Sequence, residues 1–269
     1  MLRVDRMNAR TRAATLLALL MGGYPAMTQA AGCTATSAPH RTALVELYTS
    51  EGCNSCPPAD RWLSHQTTQM WDPRHVTALA FHVDYWDRLG WKDRFAQPAF
   101  SARQRALVAQ QGSRTVYTPH IMVNGQTLTS WRQPTAFAQR IADLNAQPAP
   151  ADLHVELFAG LAQWRVQTTG RMRAPTAANT VGVFVAVYQD RLSSRVTAGE
   201  NAGERLRHDR VVRALEGPLR IEDDGHFIHS VAFRLPSEFI ARNAGVVVFL
   251  QQIPVGDVVQ ALARPACSS

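Results

Sequence analysis

The stretch Thr-Ser-Glu-Gly-Cys-Asn-Ser-Cys-Pro-Pro, residues 49–58, places a Cys-x-x-Cys motif between two regular segments. Residues 43–49 are predicted to form a strand. Residues 59–70 are predicted to form a helix opened by the two prolines, whose missing N–H groups are tolerated in a first helical turn. The start of a helix favours an anion, which for cysteine is the reactive thiolate. The motif therefore predicts thiol–disulfide exchange, with the sulfur of Cys53 accessible to a substrate.

The N-terminus has the pattern of a secretory signal peptide. Basic residues precede a short apolar run at residues 13–21, which cannot span a bilayer, and small residues follow up to Ala30. We therefore predict that residues 1–30 are removed and that the mature protein is periplasmic or secreted, with no transmembrane segment. Without this leader the net charge of +7 falls to about +4, an excess that does not require a nucleic acid partner.

Four cysteines remain after this cleavage, and export into an oxidising compartment permits disulfides. Cys53 and Cys56 are expected to pair with each other. Cys33 and Cys267 would then form a structural disulfide between the two ends of the mature chain. Alternatively, Cys33 is lipid-anchored, because the residues before it loosely match a lipoprotein cleavage site. Lipidation would leave Cys267 as an odd thiol, so the disulfide is the favoured interpretation.

The pattern of the chain changes at residues 147–151, a Pro/Ala-rich linker. Residues 41–146 alternate predicted strands and helices in the order β-α-β-α-β-β-α, which is typical of a sheet with helices on its faces. Residues 152–265 contain short alternating strands separated by Gly and Pro, which favours an antiparallel sandwich. Within them, the arginine-rich residues 191–213 are interpreted as a solvated hairpin, because acidic residues are interspersed.

A Cys-x-x-Cys motif also occurs in metal and haem sites. A structural zinc site needs two more ligands at similar spacing, and c-type haem needs His where Pro57 stands, so we predict neither a metal nor a cofactor. A purely structural disulfide stays open. So do a copper-handling or metalloprotein-assembly module, with His82 as a third Cu(I) ligand, and a non-catalytic exported binding protein.

A second motif, Val-Tyr-Thr-Pro-His-Ile-Met-Val-Asn-Gly at residues 116–125, places a Thr-Pro pair before a short apolar strand. With it, the first half of the chain resembles the thioredoxin-like proteins, which carry a redox pair after their first core strand and a cis-proline apposed to it. The resemblance implies an α/β thioredoxin-like domain, followed here by a smaller all-β (sandwich-like) domain. It also implies a cis bond before Pro119, with Thr118 and Pro119 binding an extended substrate strand.

More narrowly, residues 50–60, 81–91 and 198–213 resemble an uncharacterised family of secreted bacterial thioredoxin-like proteins with a Ser-Glu-Gly-Cys-x-x-Cys-Pro-Pro-Ala-Asp motif. The implied mechanism is attack of the Cys53 thiolate on a substrate disulfide, after which Cys56 resolves the mixed disulfide. The implied partners are protein thiols or disulfides and a separate redox partner, whose identity the resemblance leaves open.

Three further side chains are candidate auxiliaries of this chemistry. Glu51 would disfavour a nearby thiolate, which leaves the direction of catalysis open between oxidation and reduction. His82 and Asp84, at the end of the second predicted strand, are candidates for proton transfer or metal binding on the redox face, or else they satisfy loop backbone. Glu46, on the first strand, is expected to point to solvent.

Overall fold

The structure is a computed structural model that describes residue 2 and residues 32–160, 163–174 and 180–267. The predicted signal peptide lies outside the described residues, apart from Leu2. The helices are α1 (Pro57–His65), α2 (Pro98–Gln110) and α3 (Pro134–Asn145), with a π-helical turn at Gln66–Met70 and 3₁₀ helices at Asp84–Leu89 and Ala241–Asn243. The strands are β1 (Cys33–Thr36), β2 (Ala43–Thr49), β3 (Val76–His82), β4 (His120–Val123), β5 (Gln126–Thr127), β6 (Ala151–Ala159), β7 (Gln163–Met172), β8 (Val181–Gln189), β9 (Leu192–Arg195), β10 (Arg205–His208), β11 (Val211–Leu219), β12 (His226–Arg234), β13 (Ala244–Gln252) and β14 (Val258–Pro265).

Strands from both halves of the chain form one eight-stranded mixed sheet, in the order β14-β13-β8-β11-β3-β2-β4-β5. Strands β2 and β3 run parallel, and β3 is also parallel to β11, with Val211 opposite Ala80. A second, four-stranded sheet has the order β1-β6-β7-β12 and is antiparallel throughout. Strands β9 and β10 pair only with each other, as a separate hairpin.

The predicted fold class, an α/β thioredoxin-like domain followed by a smaller all-β domain, is wrong. Strands account for 42% of the structure and helices for 21%, and the large sheet combines strands from both sides of residues 147–151. The reason is visible at β3, whose residues are all buried. Such a strand needs a neighbour on each side, and the Ala80 N–H donates to the Arg210 carbonyl at 2.8 Å. A strand's own pattern indicates its burial but not its distant partner.

The large sheet is covered on both faces. Helix α2 packs on one face, where Phe100 and Leu107 join aromatic residues of β3 and β13 such as Phe81 and Phe249. The opposite face is shared between two covers. Helices α1 and α3 pack over β2 and β3, and the four-stranded sheet packs over β8 and β13. The sheet therefore joins an α/β end and a sandwich end into one body.

Glu46 does not point to solvent as predicted. It lies on the α2 face of β2 together with Leu44 and Tyr48, and its side chain is fully buried. The Arg103 guanidinium pairs with its carboxylate at 2.5 Å, and the Tyr48 hydroxyl donates to it at 3.2 Å. Alternation along a strand placed this residue on a buried face, and a cation from α2 compensates its charge.

The two ends of the described chain are held together. A disulfide joins Cys33 in β1 to Cys267 just after β14, with a Cα–Cα distance of 5.6 Å. This is the pairing favoured from the sequence. None of the helices in the described ranges has the length and hydrophobicity that a bilayer crossing requires.

Candidate functional site

The Cys-x-x-Cys motif lies between the end of β2 and the start of α1. Cys53 and Cys56 form a disulfide with a Cα–Cα distance of 5.4 Å, and Cys56 is the N-cap of the helix. The two prolines occupy the first helical positions, and the Ala59 N–H donates to the Cys56 carbonyl at 2.8 Å. The helix start therefore leaves few free N–H groups for a thiolate.

Both motif cysteines have no exposed surface. The Ser55 hydroxyl lies 3.3 Å from the Cys53 sulfur. The predicted accessibility of the leading sulfur is therefore wrong for this oxidised state of the protein. For a substrate to reach the Cys53 sulfur, the residues that cover the motif must move.

The hairpin of β9 and β10, residues 192–208, lies against the motif, and we call it the covering hairpin. The Asn201 side chain in its turn donates to the carbonyls of Glu51 (2.8 Å) and Cys53 (3.0 Å). Glu200 accepts from the Asn54 N–H at 3.1 Å. The predicted hairpin is present, but it is not simply solvated, because Asn201 is buried against the motif.

The Thr-Pro motif reaches the same end of the sheet. The peptide bond before Pro119 is cis. Strand β4 pairs antiparallel with β2, and the pairing of His120 with Tyr48 brings Pro119 to the level of Thr49, where the motif begins. Thr118 accepts a hydrogen bond from the Trp86 indole at 2.8 Å, and a Cβ added at Gly52 would lie 3.1 Å from the Trp86 Cβ. Trp86 thus bridges the two motifs.

A cluster of buried ionisable side chains adjoins the motif. His82 Nδ1 lies 2.6 Å from Asp93 Oδ2. His208 Nε2 lies 3.3 Å from Glu51 Oε1, and His208 Nδ1 lies 3.7 Å from Asp60 Oδ1. We call these five residues the histidine–carboxylate cluster. It includes two predicted auxiliaries, Glu51 and His82.

Asp84 is not part of this cluster. Its carboxylate accepts a hydrogen bond of 2.5 Å from the Ser101 hydroxyl of α2, at the start of the 3₁₀ helix that follows β3. The predicted His82–Asp84 pair is therefore separated. The reason is that the strand ends before Asp84, which is the first residue of the 3₁₀ helix, so Asp84 reaches Ser101 while His82, still in β3, contacts Asp93.

Burial and charge set the ionisation of the cluster. Burial lowers the pKa of His208, but the carboxylates of Asp60 and Glu51 raise it more, to about 10. Burial raises the pKa of Glu51, yet His208 and the Trp91 indole outweigh that effect and hold it below its usual value. Burial also raises the pKa of Asp93, but His82 lowers it by more, so the pKa of Asp93 lies below its usual value. The Glu51 carboxylate is thus balanced by His208 rather than facing the cysteines as a bare charge.

Sequence reasoning missed four residues of this site: Asp60, Asp93, Asn201 and His208. Asp60 falls in the first block of the family resemblance, residues 50–60, and Asn201 and His208 fall in the third, residues 198–213. Those blocks were the available signal. Nothing in their local pattern distinguishes them from surface residues, because their neighbours in the site come from the other half of the chain.

A cavity near α1 and α3 contains neither cysteine. It has a volume of about 620 Å³ and is apolar, with Trp62, Trp71, Trp131 and Phe137 among its lining residues. A smaller cleft of about 120 Å³ lies beside the covering hairpin and opens onto Asp60 and His208.

The fold and the site define a mostly β protein in which a buried Cys-x-x-Cys disulfide adjoins a cis-proline and a histidine–carboxylate cluster. The chain belongs to the family described as "Protein of unknown function (DUF1223)", whose model matches residues 44–251. No curated protein matches the chain.

Two solved structures are similar to this chain over most of its length. Protein AGR_C_4864 from Agrobacterium tumefaciens is 24% identical, with a TM-score of 0.61 over 87% of this chain and 98% of that one. HBP35 of Porphyromonas gingivalis is 18% identical, with a TM-score of 0.67 over 86% of this chain and 76% of that one. At these identities the likeness concerns the fold alone.

Proposed function

We propose that this protein is an exported thiol–disulfide oxidoreductase that uses the Cys53–Cys56 couple on protein disulfides. The observation that carries the proposal is the position of this disulfide. It lies at the start of α1 and at the same sheet end as the cis Thr118–Pro119 bond. The second disulfide, Cys33–Cys267, supports an oxidising compartment such as the periplasm or the extracellular space.

The exchange proceeds in two steps. The Cys53 thiolate attacks one sulfur of a substrate disulfide, forms a mixed disulfide and releases the other substrate sulfur as a thiolate. The Cys56 thiolate then attacks the Cys53 sulfur, which forms the intramolecular disulfide and releases the remaining substrate thiolate. Two electrons pass from the motif to the substrate, and the reverse sequence oxidises a substrate dithiol.

The surroundings of Cys53 favour the reducing direction. Prolines at the first two helical positions remove two N–H donors, and the Ala59 N–H is already bonded to Cys56. The Ser55 hydroxyl lies 3.3 Å from the Cys53 sulfur, and as a neutral donor it stabilises a thiolate less than a cationic group would. A weakly stabilised thiolate makes the reduced form less favourable and the couple a better reductant. We expect a potential near the reducing end of the range of roughly −120 to −270 mV for known oxidoreductases.

Measurement of this potential tests the proposal. The protein is equilibrated in thiol–disulfide buffers of known potential, and the redox state of each cysteine pair is read by alkylation and peptide mass spectrometry. A value within the oxidoreductase range supports catalysis. A value below about −300 mV indicates a structural bridge and removes the proposal.

A trapping experiment tests the substrate class. In a Cys56→Ser variant the mixed disulfide on Cys53 cannot be resolved, so substrates from a periplasmic extract stay attached. The matched control is the Cys53→Ser, Cys56→Ser double variant, which forms no such adduct. Absence of any adduct in Cys56→Ser contradicts catalysis on protein disulfides.

A further inference from the structure

We infer that Asp60, His82 and His208 form a binding site for a first-row divalent cation of the zinc type. One ligand atom from each residue lies within 4.8 Å of the other two, and all three side chains are buried. Two imidazoles and one carboxylate form a ligand set that zinc accepts readily. This inference does not depend on the proposed redox function, because it uses neither cysteine.

The two histidines have unpartnered nitrogen atoms inside the protein. His82 Nε2 is buried and has no hydrogen-bond partner among the described residues. The ring nitrogens of His208 are buried beside Glu51 (3.3 Å) and Asp60 (3.7 Å) but form no hydrogen bond of normal geometry with them. Buried polar atoms are rarely left without a partner, and each such case calls for an explanation. A cation between the two rings, whose centroids are 4.8 Å apart, supplies one.

Each candidate ligand is also oriented by a second residue that contacts its side chain on the side away from the proposed metal. Asp93 lies 2.6 Å from the Nδ1 atom of His82, which directs the Nε2 atom into the site. Glu51 lies 3.3 Å from the Nε2 atom of His208, so that its Nδ1 atom is the one that faces Asp60. The Thr49 hydroxyl donates to Oδ2 of Asp60 at 3.0 Å and leaves Oδ1 free. Carboxylates behind ligating histidines are a common arrangement in metal sites.

The charge of the surroundings fits a cation. Glu51, Asp60 and Asp93 place carboxylates at or directly behind the two imidazoles. Burying that much negative charge is costly unless a cation balances it.

The cleft of about 120 Å³ is the route to the site. Asp60 and His208 lie in its wall, together with Pro57, Leu206 and three arginines: Arg61, Arg205 and Arg207. The arginines repel a free cation, so loading through this opening should accelerate when salt screens them. The same opening lets water fill the fourth position of a tetrahedral ion.

The test uses the full mature protein in its oxidised form, stripped of metal with a chelator. Because both cysteine pairs are disulfides, no thiolate is available as a ligand. Zn²⁺ is titrated by calorimetry, and Co²⁺ is added as a spectroscopic probe. We expect one Zn²⁺ per chain and cobalt d–d bands without a thiolate charge-transfer band.

The variants Asp60→Asn and His208→Gln should each weaken Zn²⁺ binding at least 100-fold, and Glu51→Gln, behind His208, should weaken it about 10- to 100-fold. The matched control is His226→Gln, which removes an exposed histidine and should leave binding unchanged. No stoichiometric binding by the wild-type protein overturns the inference. The inference is also overturned if Asp60→Asn and His208→Gln bind Zn²⁺ with the wild-type affinity, or if only His226→Gln loses Zn²⁺ binding. If a variant fails to fold, the cobalt spectrum of the wild-type protein still decides.

Discussion

The two disulfides of this protein differ in what they join and in how they are covered. Cys33–Cys267 links residues separated by 234 positions, and both cysteines are partly exposed. Cys53–Cys56 links residues separated by 3 positions and is completely buried beneath the covering hairpin. The long link restricts the unfolded chain strongly, and the short link hardly does. The first is therefore suited to stability and the second to chemistry, although the second is the less exposed of the two.

The largest predicted effect is on stability. Replacing Cys33 and Cys267 together by Ser should lower the free energy of unfolding by about 5 kcal/mol, because the unfolded chain loses a very long closed loop. The same change at Cys53 and Cys56 should cost less than about 2 kcal/mol, because that loop is short. Urea unfolding of the two double variants measures both values. Equal losses would remove the distinction between the two bonds.

The buried Glu46–Arg103 pair offers a second way to separate stability from chemistry. Glu46→Gln leaves the Arg103 guanidinium in the α2 interface without its charged partner at 2.5 Å. Loss of one partner of a buried pair costs about 3–5 kcal/mol. The potential of the Cys53–Cys56 couple should stay unchanged, because this pair lies on the α2 face of the sheet. A shifted potential together with unchanged urea unfolding would contradict this assignment.

His120 gives the sheet end beside the cysteines a pH dependence. Burial lowers its pKa from 6.5 to about 4, so the unfolded chain binds a proton more readily than the folded one between these values. Stability contributed by neutral His120 is therefore complete above pH 6.5 and is lost as the pH falls towards 4, on the order of 2 kcal/mol at pH 5.

The groups that face His120 do not mask this effect. Gln104 of α2 and Thr127 of β5 contact its ring nitrogens, and the rings of Tyr48 and Tyr117 lie beside it. None of these side chains carries a charge between pH 4 and pH 7. Urea unfolding of wild type and His120→Gln at pH 7.5 and pH 5 measures the effect. The stability gap between them should shrink at pH 5, and a constant gap would refute the prediction.

The comparison of sequence and structure follows the same division between local and distant contacts. The strand at 43–49 lies where its pattern predicted it, and the predicted order β-α-β-α-β-β-α is the order of elements from β2 to α3, because burial periodicity and helix-opening prolines are local signals. The fold class was wrong because β11 pairs with β3 across more than a hundred residues, and no local pattern identifies that partner. A strand that is buried on both edges is the one hint that such a partner exists.

The candidate site divides in the same way. Cys53, Cys56 and Pro119 can be identified from the sequence because they lie in short motifs whose chemistry is known. The histidine–carboxylate cluster is assembled from the motif loop, α1, β3, the loop before α2, and β10, so its members look unremarkable in isolation. Only the tertiary contacts show that His208 lies beside Glu51 and that Asn201 covers Cys53.

The covering hairpin gives the smallest predicted effect and the most direct test of access. Asn201→Ala removes two hydrogen bonds that hold the turn of the hairpin on the motif. It leaves the Glu51 carbonyl unpaired, while the Cys53 carbonyl keeps its bond from the Cys56 N–H at 3.2 Å. A loss of about 1.4 kcal/mol in the closed state raises the open population tenfold, within the usual cost of an unpaired buried group. Reduction of Cys53–Cys56 by dithiothreitol should therefore be about tenfold faster, while Cys33–Cys267, which the hairpin does not cover, should be reduced at its wild-type rate.

Acid quenching, alkylation and mass spectrometry follow each bond separately, and Glu204→Gln, an exposed change in the same turn, is the control. If both bonds accelerate equally, the variant has loosened the whole fold, and if neither does, the hairpin is not the gate to the buried sulfurs.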